Sequence, residues 1–157
     1  MNKLLSFIIF LFLISSCSYS ALPIDKMSSE LETMTFEVVQ KKLIVEDSLP
    51  NNVDKLLKKW FDDKVKINGF DGDMTFVVKE YQENISSINK GKRVDISLKF
   101  EVYIKKPTLS KRVITKGEIE TYGSLEGSFT LNEFDAIIQN TQLDLIVRLS
   151  RDLKSKI

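Results

Sequence analysis

Apolar and polar residues alternate most regularly over residues 92–106, and this period of two predicts a β-strand with one face on a core and one in water. The apolar positions of this strand are Val94, Ile96, Leu98, Phe100, Val102 and Ile104. Less regular runs of β-branched and aromatic residues predict further strands at 35–47, 74–81 and 111–122. The alternation of the first strand breaks over residues 40–42, where a bulge or a change of register is expected.

Two segments show the three- and four-residue spacing of an amphipathic helix. The first, 52–68, begins with an asparagine suited to capping, and Gly69 is expected to supply its left-handed stop. The second follows Thr130 and Glu133, which match a capping box. Trp60 lies on the apolar stripe of the first helix and is expected in the core rather than on a ligand platform. The apolar stripes consist of Val53, Leu56, Leu57, Trp60, Phe61 and Val65, and of Leu131, Phe134, Ile137, Ile138, Thr141, Leu145, Leu149 and Leu153.

The order of these elements is strand, helix, three strands, helix. Two helices with one apolar stripe each can cover the apolar face of a four-stranded sheet. The sequence therefore predicts a two-layer α+β sandwich in which both helices lie on one face of a mainly antiparallel sheet. No helical pattern separates the last three strands, so they are expected to form a meander, with residues 84–91 as a polar connection. A single domain is predicted over residues 35–157.

The first seventeen residues have a different character. Lys3 is followed by an apolar run over residues 4–14 and then by Ser15, Ser16 and Cys17. A basic start, a short apolar middle and small residues at the exit are the parts of a secretory signal peptide. Eleven helical residues would span only about 16 Å, roughly half of a bilayer's hydrocarbon core. The sequence therefore predicts a cleaved leader rather than a transmembrane helix.

The four residues Ile14, Ser15, Ser16 and Cys17 resemble the lipobox of bacterial lipoproteins. The resemblance implies a signal peptide at 1–16, a diacylglyceryl group on the Cys17 thiol and a fatty acid such as palmitate on the new amino terminus. Residues 17–34 would then be the lipidated cysteine and a tether. Ser18 stands where aspartate would resemble an inner-membrane retention signal, so anchoring at the periplasmic face of the outer membrane is expected over the inner membrane. The alternative is an ordinary leader cut near a cysteine that stays unmodified.

Composition narrows the chemistry that the mature chain can perform. Removing Lys3 with the leader leaves equal numbers of basic and acidic residues, so no nucleic-acid partner is expected. Histidine is absent, which excludes the commonest general base and histidine-ligated zinc. Cys17 is the only cysteine, so no intramolecular disulfide can form. We expect no enzyme activity, no cofactor and no metal.

Carboxylates offer the remaining alternatives. Asp71 and Asp73 flank Gly72, but the further acidic ligands of an EF-hand are missing, so a turn is favoured over a calcium site. Glu118 and Glu120 fall on the same side of the fourth strand, about 7 Å apart, near the separation used in glycoside hydrolysis. A carboxylate-dependent glycan hydrolase is therefore an alternative function. We favour the simpler interpretation, a ladder of Glu and Lys side chains on the solvent-exposed face of the sheet.

Basic residues cluster at two predicted hairpin tips. Four of them flank the turn at Pro107, which should lie at the same end of the sheet as the loop 69–73. A second group should lie at the opposite end. A tip of this kind can bind an anion such as a lipid phosphate or an acidic partner surface, or it can be a solvated turn. The candidate anion-binding residues are Lys105, Lys106, Lys111 and Arg112, and the second group is Lys90, Lys92 and Arg93.

The element order and the lipobox together resemble the lipopolysaccharide-assembly lipoproteins and, more loosely, the auxiliary lipoproteins of envelope ABC transport systems. The likeness covers about residues 35–154. The stretch 45–50, Trp60 and the glycine after its helix also look like a group of uncharacterised lipoproteins from Alphaproteobacteria. The resemblance implies a non-enzymatic binding or assembly module of the cell envelope, beside an outer-membrane β-barrel and in contact with lipopolysaccharide. The alternative that it implies is an accessory of an ABC lipid-transport complex.

Overall fold

The computed structural model describes residues 31–107 and 112–156, and of residues 112–114 it describes the backbone alone. The leader 1–16, Cys17, most of the tether and Lys111 lie outside the described residues, so the expectations for them stay predictions. The described elements are β1 (Met34–Phe36), β2 (Gln40–Val45), α1 (Asn51–Lys64), β3 (Val65–Ile67), β4 (Asp73–Ile88), β5 (Gly91–Lys105), β6 (Arg112–Glu126) and α2 (Leu131–Ser155).

The main sheet has four strands in the order β2, β4, β5, β6. β2 runs parallel to β4, while β4, β5 and β6 pair antiparallel as a meander. β1 and β3 form a separate parallel ribbon. The predicted α+β fold, with a mainly antiparallel four-stranded sheet and two helices, is confirmed.

The core lies between one face of the sheet and the two helices. The alternating apolar residues of β5 are buried, except Ile104, which is half-buried. Phe100 stacks on Phe76 of β4 with ring centroids 5.4 Å apart. A β-bulge between Val78 and Glu80 interrupts the pairing of β4 with β5. The bulge lets Lys79 and Glu80 both reach salt-bridge partners on the solvent face.

Trp60 is fully buried, as predicted. Its indole meets the edge of Phe76 at 5.4 Å and lies 6.4 Å from Phe61. The indole Nε1 has no hydrogen-bond partner among the described residues. Trp60 therefore stabilises the core through its volume and its aromatic contacts.

The prediction of one strand over residues 35–47 is wrong. The chain forms β1 and β2 in two different sheets, and residues 37–39 between them belong to neither. The amides of Val39 and Gln40 both point to the Gly72 carbonyl oxygen, at 3.0 and 3.4 Å. This shared acceptor bends the chain from the ribbon into the main sheet.

The predicted ends of α1 are also wrong. The N-cap position is Pro50, with no side-chain cap, and Asn52 instead donates from Nδ2 to Gln142 Oε1 of α2. At the other end the helix stops at Lys64, and Val65 is already extended. A cation from a neighbouring strand closes this end, since Lys41 Nζ donates to the carbonyl oxygens of Phe61 at 2.7 Å and Val65 at 2.6 Å. Partial burial lowers the pKa of this ammonium group.

Gly69 has a different role from the predicted helix stop. It follows β3, and a Cβ at this position would lie 2.4 Å from the backbone of Glu37 and Val38. Glycine is thus required for the close approach of two backbones.

The three meander strands are longer than their apolar patterns. β4 continues through the expected polar connection to Ile88, and a two-residue turn at Asn89 and Lys90 leads into β5. Lys90 takes a left-handed φ of 63° there. The capping box of α2 is confirmed, because the Thr130 hydroxyl accepts from the Glu133 amide and the Glu133 carboxylate accepts from the Thr130 amide. Leu131, predicted on the core face, is instead 74% exposed at the first position of α2.

Candidate functional site

The solvent face of the sheet carries the carboxylates considered for catalysis. Glu118 and Glu120 are both exposed on β6, where they lie opposite Lys99 and Ser97 of β5. Lys99 Nζ lies 3.8 Å from Glu118 and 2.7 Å from Glu80. Glu118 thus belongs to a set of cross-strand ion pairs, as the favoured interpretation of the sequence expects, whereas Glu120 lies opposite a serine.

Neighbouring carboxylates extend the ladder. Glu101 lies 2.9 Å from Lys116 and 3.9 Å from Lys79, and it also accepts a hydrogen bond from Tyr103. The hydrogen bond from Tyr103, and then that from Lys116, lowers the pKa of Glu101. The hydrogen bond from Lys99 likewise lowers the pKa of Glu80. A general acid for glycoside hydrolysis needs the opposite shift, so these carboxylates are poorly matched to that role.

Asp71 is exposed in the loop between β3 and β4, and Asp73 is exposed at the first position of β4. Gly72 between them takes a φ of +82°, which favours glycine and is typical of a tight turn. Across residues 31–107 and 112–156, no group of three or more acidic side chains is arranged to hold a metal ion. The geometry of this loop is that of a turn.

The basic tip at Pro107 lies at the predicted end of the sheet. Asp73 pairs with Lys105 across β4 and β5, and a Cβ at Gly72 would lie 2.8 Å from the Lys105 carbonyl oxygen. The loop 69–73 therefore packs directly against the hairpin. Lys105 is exposed and Lys106 is half-buried, and neither forms an ion pair within the described part of the chain.

The structure describes less of Lys111 and Arg112, the other two candidate residues at this tip. The backbone of Arg112 pairs with Ile104, which places it beside Lys105 and Lys106 at the same end. Its side chain is not among the described atoms, and Lys111 lies outside the described residues.

The second basic group lies at the opposite end, as predicted, since Ile88 pairs with Gly91 there. Two of its three basic side chains have local partners. Arg93 forms a salt bridge of 2.6 Å with Asp95 and lies over the Tyr122 ring at 4.5 Å. Lys92 donates to the Ser87 hydroxyl at 2.9 Å. Tyr122, which is 65% exposed, and Arg93 border an open polar groove of about 470 Å³ that the sequence did not indicate.

The sequence also missed an apolar feature at the Pro107 end. Phe70 is 100% exposed, and Val39 beside its loop is 46% exposed. The only sequence signal was an aromatic residue placed directly after an Asn-Gly pair, inside a segment interpreted as a turn. The structure places the loop of this aromatic residue against Lys105 and Lys106, which Gly72 approaches closely.

Neither helix of the described chain is both long and apolar enough to span a bilayer.

No protein-family model and no curated protein matches this chain. Solved structures do. An uncharacterized lipoprotein B from Nitrosomonas europaea aligns with a TM-score of 0.50 at 7% identity, over 78% of this chain and 86% of its own. A minor lipoprotein from Acinetobacter baumannii aligns with a TM-score of 0.47 at 19% identity, over 76% and 92%. The rare lipoprotein B from Shewanella oneidensis gives 0.42 at 12% identity, over 74% and 95%.

These neighbours are described as bacterial lipoproteins. At such low identity the likeness to the Nitrosomonas protein concerns the fold alone, so this α+β sandwich occurs in at least one lipoprotein.

Proposed function

We propose that this chain is a membrane-anchored periplasmic lipoprotein and a non-enzymatic binding or assembly module of the cell envelope. The observation that carries the proposal is Cys17, the single cysteine of the chain, placed directly after a short apolar leader and the residues Ile14, Ser15 and Ser16. One acyl chain holds a protein only marginally at a membrane, whereas two or more hold it stably. The fold supports the proposal because a solved lipoprotein shares it.

The non-enzymatic part of the proposal rests on the solvent face of the sheet. Of the two carboxylates with the spacing of a hydrolase pair, Glu118 forms an ion pair with Lys99, and the neighbouring Glu101 pairs with Lys79 and Lys116. A binding module needs an accessible surface rather than a cleft. At the Pro107 end, Lys105 and Lys106 lie at the surface and form no ion pair with any described residue. We propose Lys105, Lys106, Lys111 and Arg112 as the anion-binding residues of this module.

The resemblance noted in the sequence favours a role at the outer membrane, in lipopolysaccharide assembly beside a β-barrel. An accessory role in an ABC lipid-transport complex is the second candidate, supported by the looser part of the same resemblance.

Affinity purification of the tagged, lipidated protein from solubilised envelopes separates these roles. We expect an outer-membrane barrel to co-purify, and the variant with Lys105, Lys106, Lys111 and Arg112 changed to glutamate to retain less of it. A matched control changes Lys90 and Lys92 at the opposite end. Recovery of an inner-membrane transport complex would favour the second candidate. Recovery of no envelope partner by either protein would contradict the assembly role.

A further inference from the structure

Three separate segments of the chain meet at the Pro107 end of the sheet. The Val39 amide donates to the Gly72 carbonyl oxygen at 3.0 Å, and the Gly69 amide donates to the Val38 carbonyl oxygen at 3.0 Å. Gly72 in turn packs against the backbone of Lys105. The loop that carries Phe70 is therefore fixed on both sides. We name this surface, formed by Val39, Phe70, Lys105 and Lys106, the Phe70 tip.

Phe70 projects from this fixed loop without covering any part of the domain. Gly69 before it packs against the Glu37–Val38 backbone, and Gly72 after it packs against the end of β5, so both ends of the loop are held in place. A phenylalanine that is 100% exposed keeps its whole apolar surface in water. Val39, 46% exposed, adds a second apolar side chain beside the loop. The two side chains form a small apolar surface that an apolar phase can cover.

The place where the tether joins the domain indicates that this apolar phase is the membrane. Glu32 forms a salt bridge with Lys154 near the end of α2. The end of α2 lies over the first part of β6, where Lys156 Nζ reaches the Lys116 carbonyl oxygen at 3.4 Å. β6 begins at the Pro107 end. The chain outside the described residues therefore joins the domain in the half of the sandwich that carries the Phe70 tip.

The segment between Cys17 and the described domain is short enough for the domain to contact the membrane that holds the lipid anchor. Residues 18–30 lie between Cys17 and the first described residue, and thirteen residues reach at most about 45 Å when fully extended. β4 alone, with 16 residues, extends about 50 Å along the domain. A domain held this closely, and joined in its Pro107 half, presents that end to the bilayer more readily than the Asn89–Lys90 end.

Charges of both signs surround the apolar residues of the tip. Lys105 and Lys106 can meet lipid phosphates, while Glu37, Asp71 and Asp73 are exposed nearby. These described charges give no net attraction to anionic lipid, so contact with a bilayer depends on Phe70 and Val39. A single aromatic ring flanked by amphipathic lysines matches the boundary between headgroups and acyl chains.

We propose that the Phe70 tip inserts into the surface of the phospholipid bilayer to which the chain is tethered, with Phe70 and Val39 in the apolar boundary and Lys105 and Lys106 at the headgroups. The proposal rests on the lipid anchor proposed above. It assigns the apolar part of the tip, Phe70 and Val39, to a lipid surface rather than to a protein partner.

Site-specific labelling of the lipidated full chain tests the proposal. Lipidation blocks the thiol of Cys17, so Phe70→Cys or Val39→Cys supplies the only free thiol for an environment-sensitive fluorophore. The matched control is Leu131→Cys, which places the label at an exposed apolar position of α2 outside the tip. Each labelled protein is reconstituted into vesicles of phosphatidylethanolamine and phosphatidylglycerol. Quenching by aqueous iodide and the emission maximum at positions 70 and 39 are then compared with those at position 131 in the same vesicles.

Relative to position 131, we expect blue-shifted emission at positions 70 and 39 and iodide quenching reduced by about threefold or more. Equal quenching at all three positions would overturn the proposal. Protection at position 70 in native envelopes but not in vesicles would also overturn it, in favour of a protein partner. Failure of the anchor itself is seen separately, because wild-type protein would then take up the fluorophore at Cys17.

Discussion

Replacing Trp60 by alanine is expected to lower the free energy of unfolding by about 3–5 kcal/mol, as is usual for removal of a buried aromatic side chain. The indole is fully buried, and it lies 5.4 Å from Phe76, which itself stacks on Phe100. The substitution therefore leaves a cavity where α1 meets the sheet, next to a chain of aromatic contacts. Urea unfolding of the domain, followed by circular dichroism, measures the change.

The control for this prediction is Trp60→Phe. The indole Nε1 has no hydrogen-bond partner among the described residues, so phenylalanine loses volume and no hydrogen bond. Its cost should be much smaller than that of alanine. If the two variants lost equal stability, Trp60 would act through its nitrogen and the packing account would be wrong.

The second large effect is expected at Gln142 of α2, which is 2% exposed. Its amide donates to Glu83 Oε2 at 2.9 Å and accepts from Asn52 Nδ2 at 2.5 Å. Tyr81 donates to the same Glu83 oxygen at 2.6 Å. Burial, and then this hydrogen bond, raises the pKa of the Tyr81 phenol, so the phenol remains a donor at neutral pH. One side chain thus joins α1, α2 and β4.

The variant Gln142→Leu keeps the volume of the side chain but removes both of its hydrogen bonds. We expect a loss of about 1.5–3 kcal/mol in the free energy of unfolding, because a carboxylate and an amide are left with fewer partners. Gln139→Leu, at an exposed position of the same helix, should change stability little. Equal effects of the two substitutions in thermal unfolding would show that the network contributes no specific stability.

The sequence predicted the elements whose stability comes from apolar burial. β5 alternates over its whole length because one face is packed and the other is wet, and its observed bounds, Gly91–Lys105, differ from the predicted ones by one residue at each end. The capping box at Thr130 was equally readable, because two side chains close that helix end locally. In both cases the cause lies within the segment itself.

The errors fall where the cause lies in a distant segment. The end of α1 depends on Lys41, which donates to helix carbonyl oxygens about twenty residues further along the chain. Gly69 was interpreted through local helix chemistry, although its real constraint is the backbone of Glu37 and Val38. The second half of β4 is polar, and it is a strand because β5 pairs with it.

Part of the candidate site was likewise predicted from the sequence, and part was not. The opposed positions of the two basic groups followed from hairpin topology and are confirmed by the strand register. The local pairing of Arg93 with Asp95 and Tyr122, and the full exposure of Phe70, depend on how side chains are placed in three dimensions. No periodic pattern in the sequence carries that information.

The most direct test of the central proposal is the intact mass of the protein extracted from the producing cell's membranes. The account predicts a chain that begins at Cys17, lacks residues 1–16 and carries the added mass of a diacylglyceryl group and a fatty acid. The variant Cys17→Ala should remain a longer precursor without acyl mass. A wild-type protein that retains the leader, or one that loses it and keeps an unmodified Cys17 thiol, would contradict the proposal that this chain is a lipoprotein.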